Sequence, residues 1–352
     1  FGEKTFAWRG EEPPKARPTT ILPAPVRLPL SSLLKANSAM ALSPTQIIAL
    51  KALPDLSKDF IRRLCEMPQK LRDVDVLVEI EHVWKDKKTR AALAMALEHA
   101  LALVVESERL GIGILGYCDE IFPQALKEAT AEDGKTPDPA LVIFYKGDLA
   151  CLNMPSIALI GARNCTQTAK VAGLYLGEQF AKRGLCVVSG LALGCDTSAH
   201  LGTLKVADGK TVAVVAHGLH TVFPPQNEGL AKDIVNRGGL LISEYPVGNE
   251  ANSLTFIERD RLQAALSQAC LVIQSGINGG TFHAARTTAN TDKPLYVVKY
   301  RDLATENDVR NAGNIMMVDE FGAKYLAATS DAFEMKKRLD AIADAVKRRY
   351  AA

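Results

Sequence analysis

The sequence has few of the features that mark secreted, membrane-spanning or zinc-binding proteins. It contains seven cysteines, an odd number with no Cys-x-x-Cys pair, so we expect buried or free thiols of a reducing compartment and neither a disulfide framework nor a zinc site. No apolar run approaches the roughly 18 residues that span a bilayer. The first residues, Phe-Gly-Glu-Lys, contain no apolar signal-peptide core. These absences predict a cytoplasmic protein without a membrane partner.

The sequence also lacks strong charge, aromatic residues and a catalytic constellation. Because the net charge is only +2, any nucleic-acid-binding surface must be a local patch. Aromatic residues make up 6% of the chain. No nucleophile, base and orienting group stand together, and His217 and His220 lack the spacing or neighbours of metal ligands. We therefore expect no enzymatic activity, no metal and no cofactor.

The first third of the chain combines a Pro-rich tail with helical patterns. Residues 1–39 lack apolar periodicity and predict an extended tail, with prolines at 13, 14, 18, 23, 25 and 29. Residues 40–109 predict a small helical (SAM-like) domain that begins where Ser43, Pro44 and Gln46 can form a capping box. Such a domain can be an adaptor, a nucleic-acid contact or a packing and dimerisation unit, and the sequence leaves these uses open.

From residue 110 the pattern changes to short apolar runs separated by helix-length segments. The runs lie at 112–115, 141–145, 157–160, 186–189, 212–216, 240–243, 270–274 and 295–298. This alternation predicts an α/β fold over 110–330, with an extended Rossmann-like, doubly wound and mainly parallel sheet. A C-terminal helix is expected at 331–352. Ligands of such sheets bind beyond the carboxyl ends of the strands, so the loops that follow the strands hold the candidate site.

Small, hydroxyl and basic residues follow most of these strands. Gly161, Arg163 and Thr166 suit a phosphate held by a tight turn, a guanidinium and a helix N-terminus, and the alternative is a plain turn with a surface arginine. The other candidates are Ser189, Gly190, Gly194, Gly218, Asn227, Arg259, Arg261, Gly279, Gly280 and Thr281. Several such loops that converge on one edge of the sheet form an anion site more convincingly than any single loop.

Other polar residues in the same region favour structural roles. Asp196 and His200 stand four residues apart on one helix face, and we expect a helix cap and a packed side chain rather than a catalytic pair. The basic clusters at 336–338 and 347–349 predict a solvated face of the terminal helix.

Over roughly 110–328 the chain resembles the DprA/Smf family of DNA-processing proteins. The segments that carry the resemblance are "GIGILGYCDEIFPQAL", "ALVIFYKGDL", "IALIGARNCT", "VVSGLALGCDTSAHLGTL", "GKTVAVVAHGLHTVFPPQNEGL", "GGLLISEYPVG", the Phe-x-x-Arg-x-Arg of 256–261, the Gly-rich loop at 276–281 and "GNIMMVDEFGAKYLAATSDAF". The resemblance implies a homodimer that binds single-stranded DNA in a positively charged pocket. It also implies loading of a RecA-type recombinase during natural transformation, without catalysis.

The resemblance assigns roles to particular cations. Arg163 matches the arginine of the family's Gly-x-Arg turn, Lys210 the basic residue before the next strand, and Arg259 and Arg261 the paired arginines. We expect these side chains and the glycine loops to meet along one edge of the sheet and form a cationic groove. Because aromatic residues are few, phosphate contacts should dominate and binding should weaken steeply with salt.

The chain departs from the family pattern, and two other functions stay open. Asp260 replaces an asparagine, 279–281 (Gly-Gly-Thr) replaces Ser-Gly-Ser, and 297–300 (Val-Val-Lys-Tyr) replaces Val/Ile-Pro-Gly. One alternative is a Rossmann-type nucleotide sensor or nucleotide-processing enzyme similar to lysine-decarboxylase-like phosphoribohydrolases, although Ala284 stands where their catalytic glutamate would fall. The other is a structural partner protein with a vestigial pocket.

Overall fold

The computed structural model describes residues 41–84, 89–277 and 279–352, and the predicted tail at 1–39 lies outside them. In the described part of the chain no helix is long and apolar enough to cross a membrane. The predicted capping box is confirmed: the Ser43 hydroxyl accepts from the Gln46 N–H, and Gln46 Oε1 accepts from the Ser43 N–H. It starts α1 (Pro44–Ala52), the first helix of the described residues, which is followed by α2 (Lys58–Cys65), α3 (Asp73–Val83) and α4 (Thr89–Arg109).

Strands and helices then alternate along the chain. The elements are β1 (Gly113–Gly116), α5 (Gln124–Lys127), β2 (Val142–Gly147), β3 (Ser156–Ile160), α6 (Gln167–Lys182), β4 (Cys186–Ser189), α7 (Cys195–Leu204), β5 (Thr211–Val214), α8 (Glu228–Asn236), β6 (Leu240–Ser243), α9 (Ser253–Leu266), β7 (Ala269–Val272), α10 (Thr281–Asn290), β8 (Leu295–Lys299), α11 (Leu303–Glu306), α12 (Ala312–Phe321), β9 (Lys324–Ala327) and α13 (Ala332–Ala351). Each of the predicted apolar runs forms a strand.

The described strands form one sheet in the order β1-β2-β6-β5-β4-β3-β7-β8-β9. In this spatial order, every neighbouring pair from β6 to β9 (β6–β5, β5–β4, β4–β3, β3–β7, β7–β8 and β8–β9) is parallel. The pairs β1–β2 and β2–β6 are antiparallel. The predicted fold class, a mainly parallel Rossmann-like sheet after a helical segment, is therefore confirmed. The sequence pattern missed β9, because this edge strand buries Leu326 but leaves Lys324 and Tyr325 exposed and so lacks an apolar run.

The central strands are buried on both faces, as continuous apolar runs predict. In β3, Ile157 and Leu159 pack into one hydrophobic cluster, whereas Ala158 and Ile160 pack into another. The amino-terminal helices share a third cluster with the sheet, where Ile47 and Phe144 belong to the same core. The boundary between a helical and a Rossmann-like domain near residue 110 stays a prediction. All seven cysteines are buried, as expected.

Candidate nucleic-acid interface

The candidate site lies where the direction of strand addition reverses. β4 lies on one side of β3 and β7 on the other, so the connections from these strands diverge and leave a crevice at their carboxyl ends. A cavity of about 590 Å³ occupies this position, and we call it the switch-point cavity. The predicted site residues that line it are Gly161, Arg163, Arg259, Gly279, Gly280 and Thr281.

Two glycines allow the loop after β4 to pack beneath this cavity. A Cβ atom at Gly190 would lie 2.7 Å from Asp196 Oδ2 and would collide with the Arg259 guanidinium. Gly194 has φ +83°, and its Cβ would lie 2.5 Å from the carbonyl oxygen of Ala162, so both conformation and space favour glycine. These two positions shape the floor of the cavity through packing and do not line it.

Arg163 supplies an exposed cation at the cavity mouth. Its guanidinium carbon lies 4.4 Å from the centroid of the Phe256 ring. Among the described residues no carboxylate forms an ion pair with Arg163, so its charge is stabilised by the ring and by water. A guanidinium in this state keeps its N–H groups available for bidentate contact with a phosphate.

Arg259 is a second cation of the cavity, but it is buried. Its Nη1 donates to the Val214 carbonyl oxygen (2.5 Å), and its Nε lies 3.1 Å from Asp260 Oδ1. Asp196 is buried as well and accepts from the Gly190 N–H (3.1 Å). Arg259 therefore stabilises two carboxylates at the floor and contributes a fixed positive charge rather than a mobile contact.

The two carboxylates have raised pKa values. Burial raises the pKa of Asp196, with the Arg259 charge opposing it. Burial also raises the pKa of Asp260, to about 6, and the nearby Asp196 raises it further while Arg259 lowers it. At neutral pH Asp260 is thus mostly ionised and offsets part of the cationic charge, as its replacement of an asparagine suggests.

The Gly-Gly-Thr loop at 279–281 lines another part of the cavity. Gly280 precedes the first residue of α10, Thr281, and makes no side-chain cap bond. The positive end of the α10 dipole therefore lies beside the cavity, although the Phe282 and His283 N–H groups already donate to the carbonyl oxygens of Gly279 and Gly280. The two glycines leave room for a ligand to approach the backbone.

Four predicted site residues have structural roles beneath or beside the cavity. Thr166 caps α6 by accepting from the Ala169 N–H, and its own N–H donates to Gln274 Oε1. The Ser189 hydroxyl donates to the Leu159 carbonyl oxygen, and the Gly218 N–H donates to that of Asn249. Asn227 Nδ2 donates to the Leu191 carbonyl oxygen and to Thr197 Oγ1. None of the four lines the switch-point cavity, and their contact with a ligand stays a prediction.

The expectation that Arg163, Lys210 and Arg261 meet along one edge is wrong. Lys210 directly precedes β5, so it lies at the amino end of this strand, where its Nζ donates to the Arg237 carbonyl oxygen (3.1 Å). Arg261 is buried, and its Nη1 lies 2.6 Å from Glu244 Oε2. Arg261 faces a different cavity from Arg259, so the predicted groove of converging cations does not form, and the charged residues that line the switch-point cavity are Arg163, Arg259, Asp196 and Asp260. A DNA contact of Lys210 or Arg261 stays a prediction.

Sequence reasoning also missed residues of the cavity. Asp196 was expected to cap α7, yet it receives N–H groups of the preceding loop and lines the cavity. His200 is packed as expected, with Nδ1 2.7 Å from Thr211 Oγ1. Phe256 was part of the quoted motif, but only the structure shows it beneath Arg163.

Comparison with known proteins agrees with this architecture. The family model for DNA recombination-mediator protein A matches residues 113–337. Protein Smf of Synechocystis sp. is 26% identical over 258 residues, which cover 70% of this chain and 63% of that protein. The chain thus spans slightly less than two thirds of this relative's length.

Two solved structures have a similar fold. DNA processing protein A (DprA) from Streptococcus pneumoniae matches with a TM-score of 0.67 at 24% identity, covering 84% of this chain and 98% of that one. DNA processing protein A from Helicobacter pylori matches with a TM-score of 0.55 at 24% identity, covering 66% of this chain and 96% of that one. That structure was reported for the unique single-stranded DNA binding mode of the H. pylori protein.

Proposed function

Since the chain belongs to the DNA recombination-mediator protein A (DprA/Smf) family, we propose that it binds single-stranded DNA in the switch-point cavity. The observation that carries this proposal is the Arg163 guanidinium, which lies on the Phe256 ring at the cavity mouth and has no ion-pair partner in the described part of the chain. In this proposal the protein acts by binding and not by catalysis. Transfer of the strand to a RecA-type recombinase during DNA uptake, and a homodimer as the active form, are proposed from family membership alone.

The proposed strand contacts combine charge with apolar surface. Arg163 holds one backbone phosphate, and the positive end of the α10 dipole beside Gly279 and Gly280 attracts the same or the next phosphate. Leu254 and Ile257, on the first turns of α9, are 63% and 42% exposed and provide apolar surface for unstacked bases. This arrangement has no base-specific hydrogen-bonding pattern, so we expect binding without strong sequence preference.

Fluorescence anisotropy with a labelled oligo-dT strand tests the proposal. The wild-type protein should bind at low ionic strength and lose affinity steeply when salt is raised, because each neutralised phosphate releases counterions. Arg163→Glu should abolish binding. Arg348→Glu makes the same charge change at an exposed position of α13 and should have little effect. Absence of wild-type binding at low salt, or equal losses in the two variants, would contradict the proposal.

A nucleotide-binding sensor is the second candidate. The cavity volume of about 590 Å³ lies within the range of small-molecule sites. Ala284, which is buried in the lining, provides no carboxylate at the position where related phosphoribohydrolases have one, so binding without turnover is favoured. Thermal-shift measurements with nucleoside monophosphates separate the two functions, because stabilisation by a mononucleotide without oligo-dT binding would favour the sensor.

A further inference from the structure

The thiols of Cys165 and Cys195 meet beside the turn that holds Arg163. Cys165 lies two residues after Arg163, and Cys195 is the first residue of α7. The Cys195 N–H donates to the Ala162 carbonyl oxygen (3.2 Å), and a Cβ atom at Gly161 would lie 2.7 Å from Cys195 Sγ. The start of α7 therefore packs directly against the turn that follows β3.

The two cysteines form a pair in which only one member reaches the surface. Their side chains belong to the same hydrophobic cluster, and their thiols interact through a hydrogen bond. Cys165 is 7% exposed, more than any other cysteine of the chain, whereas Cys195 is fully buried. A small reagent in solution therefore reaches Cys165 first and finds the Cys195 thiol in contact behind it.

Positive charge around Cys165 favours its thiolate, which is the reactive form of a cysteine. Cys165 directly precedes Thr166, the cap residue of α6, so it lies at the positive end of this helix. The hydrogen bond from Cys195 lowers the pKa of Cys165. The charges of Lys170 and Arg310 lower it further, and burial opposes them. The same hydrogen bond, together with burial, raises the pKa of Cys195, so Cys165 is the nucleophile of the pair.

Two other pairs of cysteines provide an internal comparison. The thiols of Cys65 and Cys118 interact with each other, and so do those of Cys151 and Cys186. These four residues are at most 3% exposed. An oxidant in solution should therefore react with them more slowly than with Cys165.

We propose that Cys165 and Cys195 form a redox-active dithiol that hydrogen peroxide converts to a disulfide. In the first step the Cys165 thiolate attacks one peroxide oxygen and the O–O bond breaks. A sulfenic acid forms on Cys165, and the departing hydroxide takes up the proton of its thiol to give water. In the second step the Cys195 sulfur attacks the Cys165 sulfur, the S–S bond forms, and the hydroxyl group leaves with the Cys195 proton as a second water. Two electrons pass from the two sulfurs to the peroxide.

The disulfide should also move the turn of Arg163, a consequence that rests on the proposed function. An S–S bond is shorter than a contact between two thiols, so the two cysteines must approach each other. Cys195 is held by α7 and by its packing against Gly161, so most of the movement falls on Cys165 and its turn. Arg163 then shifts away from the Phe256 ring. We expect the Kd for oligo-dT to rise about two- to fivefold, and dithiothreitol should reverse this change.

Peptide mapping by mass spectrometry tests the proposal on the full chain after treatment with hydrogen peroxide. The wild type should give a peptide linked through Cys165 and Cys195, with a mass two hydrogen atoms below that of the separate peptides. Cys195→Ser should stop at the Cys165 sulfenic acid, which dimedone traps, and Cys165→Ser should give neither product. Cys118→Ser is the matched control, because serine can keep the hydrogen bond to the Cys65 carbonyl oxygen. It should form the same link as the wild type.

The outcomes separate the dithiol from the proposed DNA binding. The linked peptide, together with a rise in Kd that dithiothreitol reverses, supports the proposal. Absence of the link overturns it, as do links at the other two pairs that form equally fast, or dimedone labelling of Cys165→Ser to the extent seen in Cys195→Ser. A link with an unchanged Kd overturns the coupling to Arg163. Peptide mapping needs no DNA, so failure of oligo-dT binding would contradict the proposed function and not the dithiol.

Discussion

The guanidinium carbons of Arg163 and Arg259 lie 4.4 Å and 5.9 Å from the centroid of the same ring, that of Phe256. One of these arginines is exposed and the other is buried. The ring therefore holds the exposed guanidinium at the cavity mouth without a carboxylate that would neutralise it. This makes Phe256 a positioning residue for the proposed phosphate contact of Arg163.

Replacing this ring should weaken strand binding without removing a charge. We expect Phe256→Leu to raise the Kd for oligo-dT about two- to fivefold, since cation–π contacts at exposed sites contribute about 0.5–1 kcal/mol. Phe333→Leu changes a 76% exposed phenylalanine on α13 and serves as the control in the same anisotropy measurement. If both variants bind like the wild type, the ring does not position Arg163.

The raised pKa of Asp260 leads us to predict that the binding of single-stranded DNA depends on pH. Burial raises its pKa to about 6, and the charged or titratable groups that act on it are Arg259, Asp196, His283 and Arg163. As pH falls through 6, Asp260 gains a proton and the cavity loses a negative charge. Oligo-dT should therefore bind more tightly at pH 5.5 than at pH 7.5 (about threefold or more), with Kd measured at constant ionic strength.

Asp260→Asn isolates this carboxylate from the other titrating groups. The amide is nearly isosteric and uncharged, so the variant should bind more tightly than the wild type at pH 7.5 and lose most of the pH dependence. Asp319→Asn, on α12 and outside the cavity lining, should keep the wild-type profile. A pH dependence that persists unchanged in Asp260→Asn would show that Asp260 is not the group responsible.

Much of the fold could be predicted from the sequence, because the buried parallel strands form continuous apolar runs and each is followed by a turn. The position of Gly161 and Arg163 at the carboxyl edge follows from the same pattern. The expectation that Arg259 and Arg261 share one site does not follow from this pattern, because residues two apart on a helix point to different sides. Arg259 faces the switch-point cavity, whereas Arg261 faces a separate cavity beside the last turns of α9. Lys210 precedes its strand and therefore lies at the amino end.

The position of Arg261 leads to a prediction about stability. Burial alone would raise the pKa of Glu244, but the Arg261 charge and hydrogen bond lower it to about 2. We expect Glu244→Gln to lower the free energy of unfolding at pH 7 by about 2 kcal/mol, because it removes one of the two carboxylates that pair with the buried Arg261 guanidinium and leaves only Asp138, whose Oδ2 lies 2.7 Å from Arg261 Nε. Urea unfolding followed by circular dichroism measures this change.

The pH dependence of the difference in unfolding free energy between wild type and Glu244→Gln tests whether this difference is electrostatic. A carboxylate with a lowered pKa stabilises the fold above its unfolded value, about 4.5, and this contribution is lost as pH falls toward 2. The difference in unfolding free energy between wild type and Glu244→Gln should therefore become smaller as the pH is lowered. Glu250→Gln, at an exposed position, should unfold like the wild type throughout; a gap that stays constant with pH would point to packing instead of charge.

Lys210 tests whether the bound DNA strand contacts only the carboxyl edge of the β-sheet or also its amino edge. Its Nζ donates to the carbonyl oxygen of Arg237 at the end of α8, so Lys210→Ala should cost up to about 1 kcal/mol of stability and change the oligo-dT Kd less than twofold. Arg163→Ala removes the same charge at the cavity mouth and should raise the Kd about tenfold. Equal losses in both variants would mean that the strand contacts both edges of the sheet, and the switch-point cavity alone would then not account for binding.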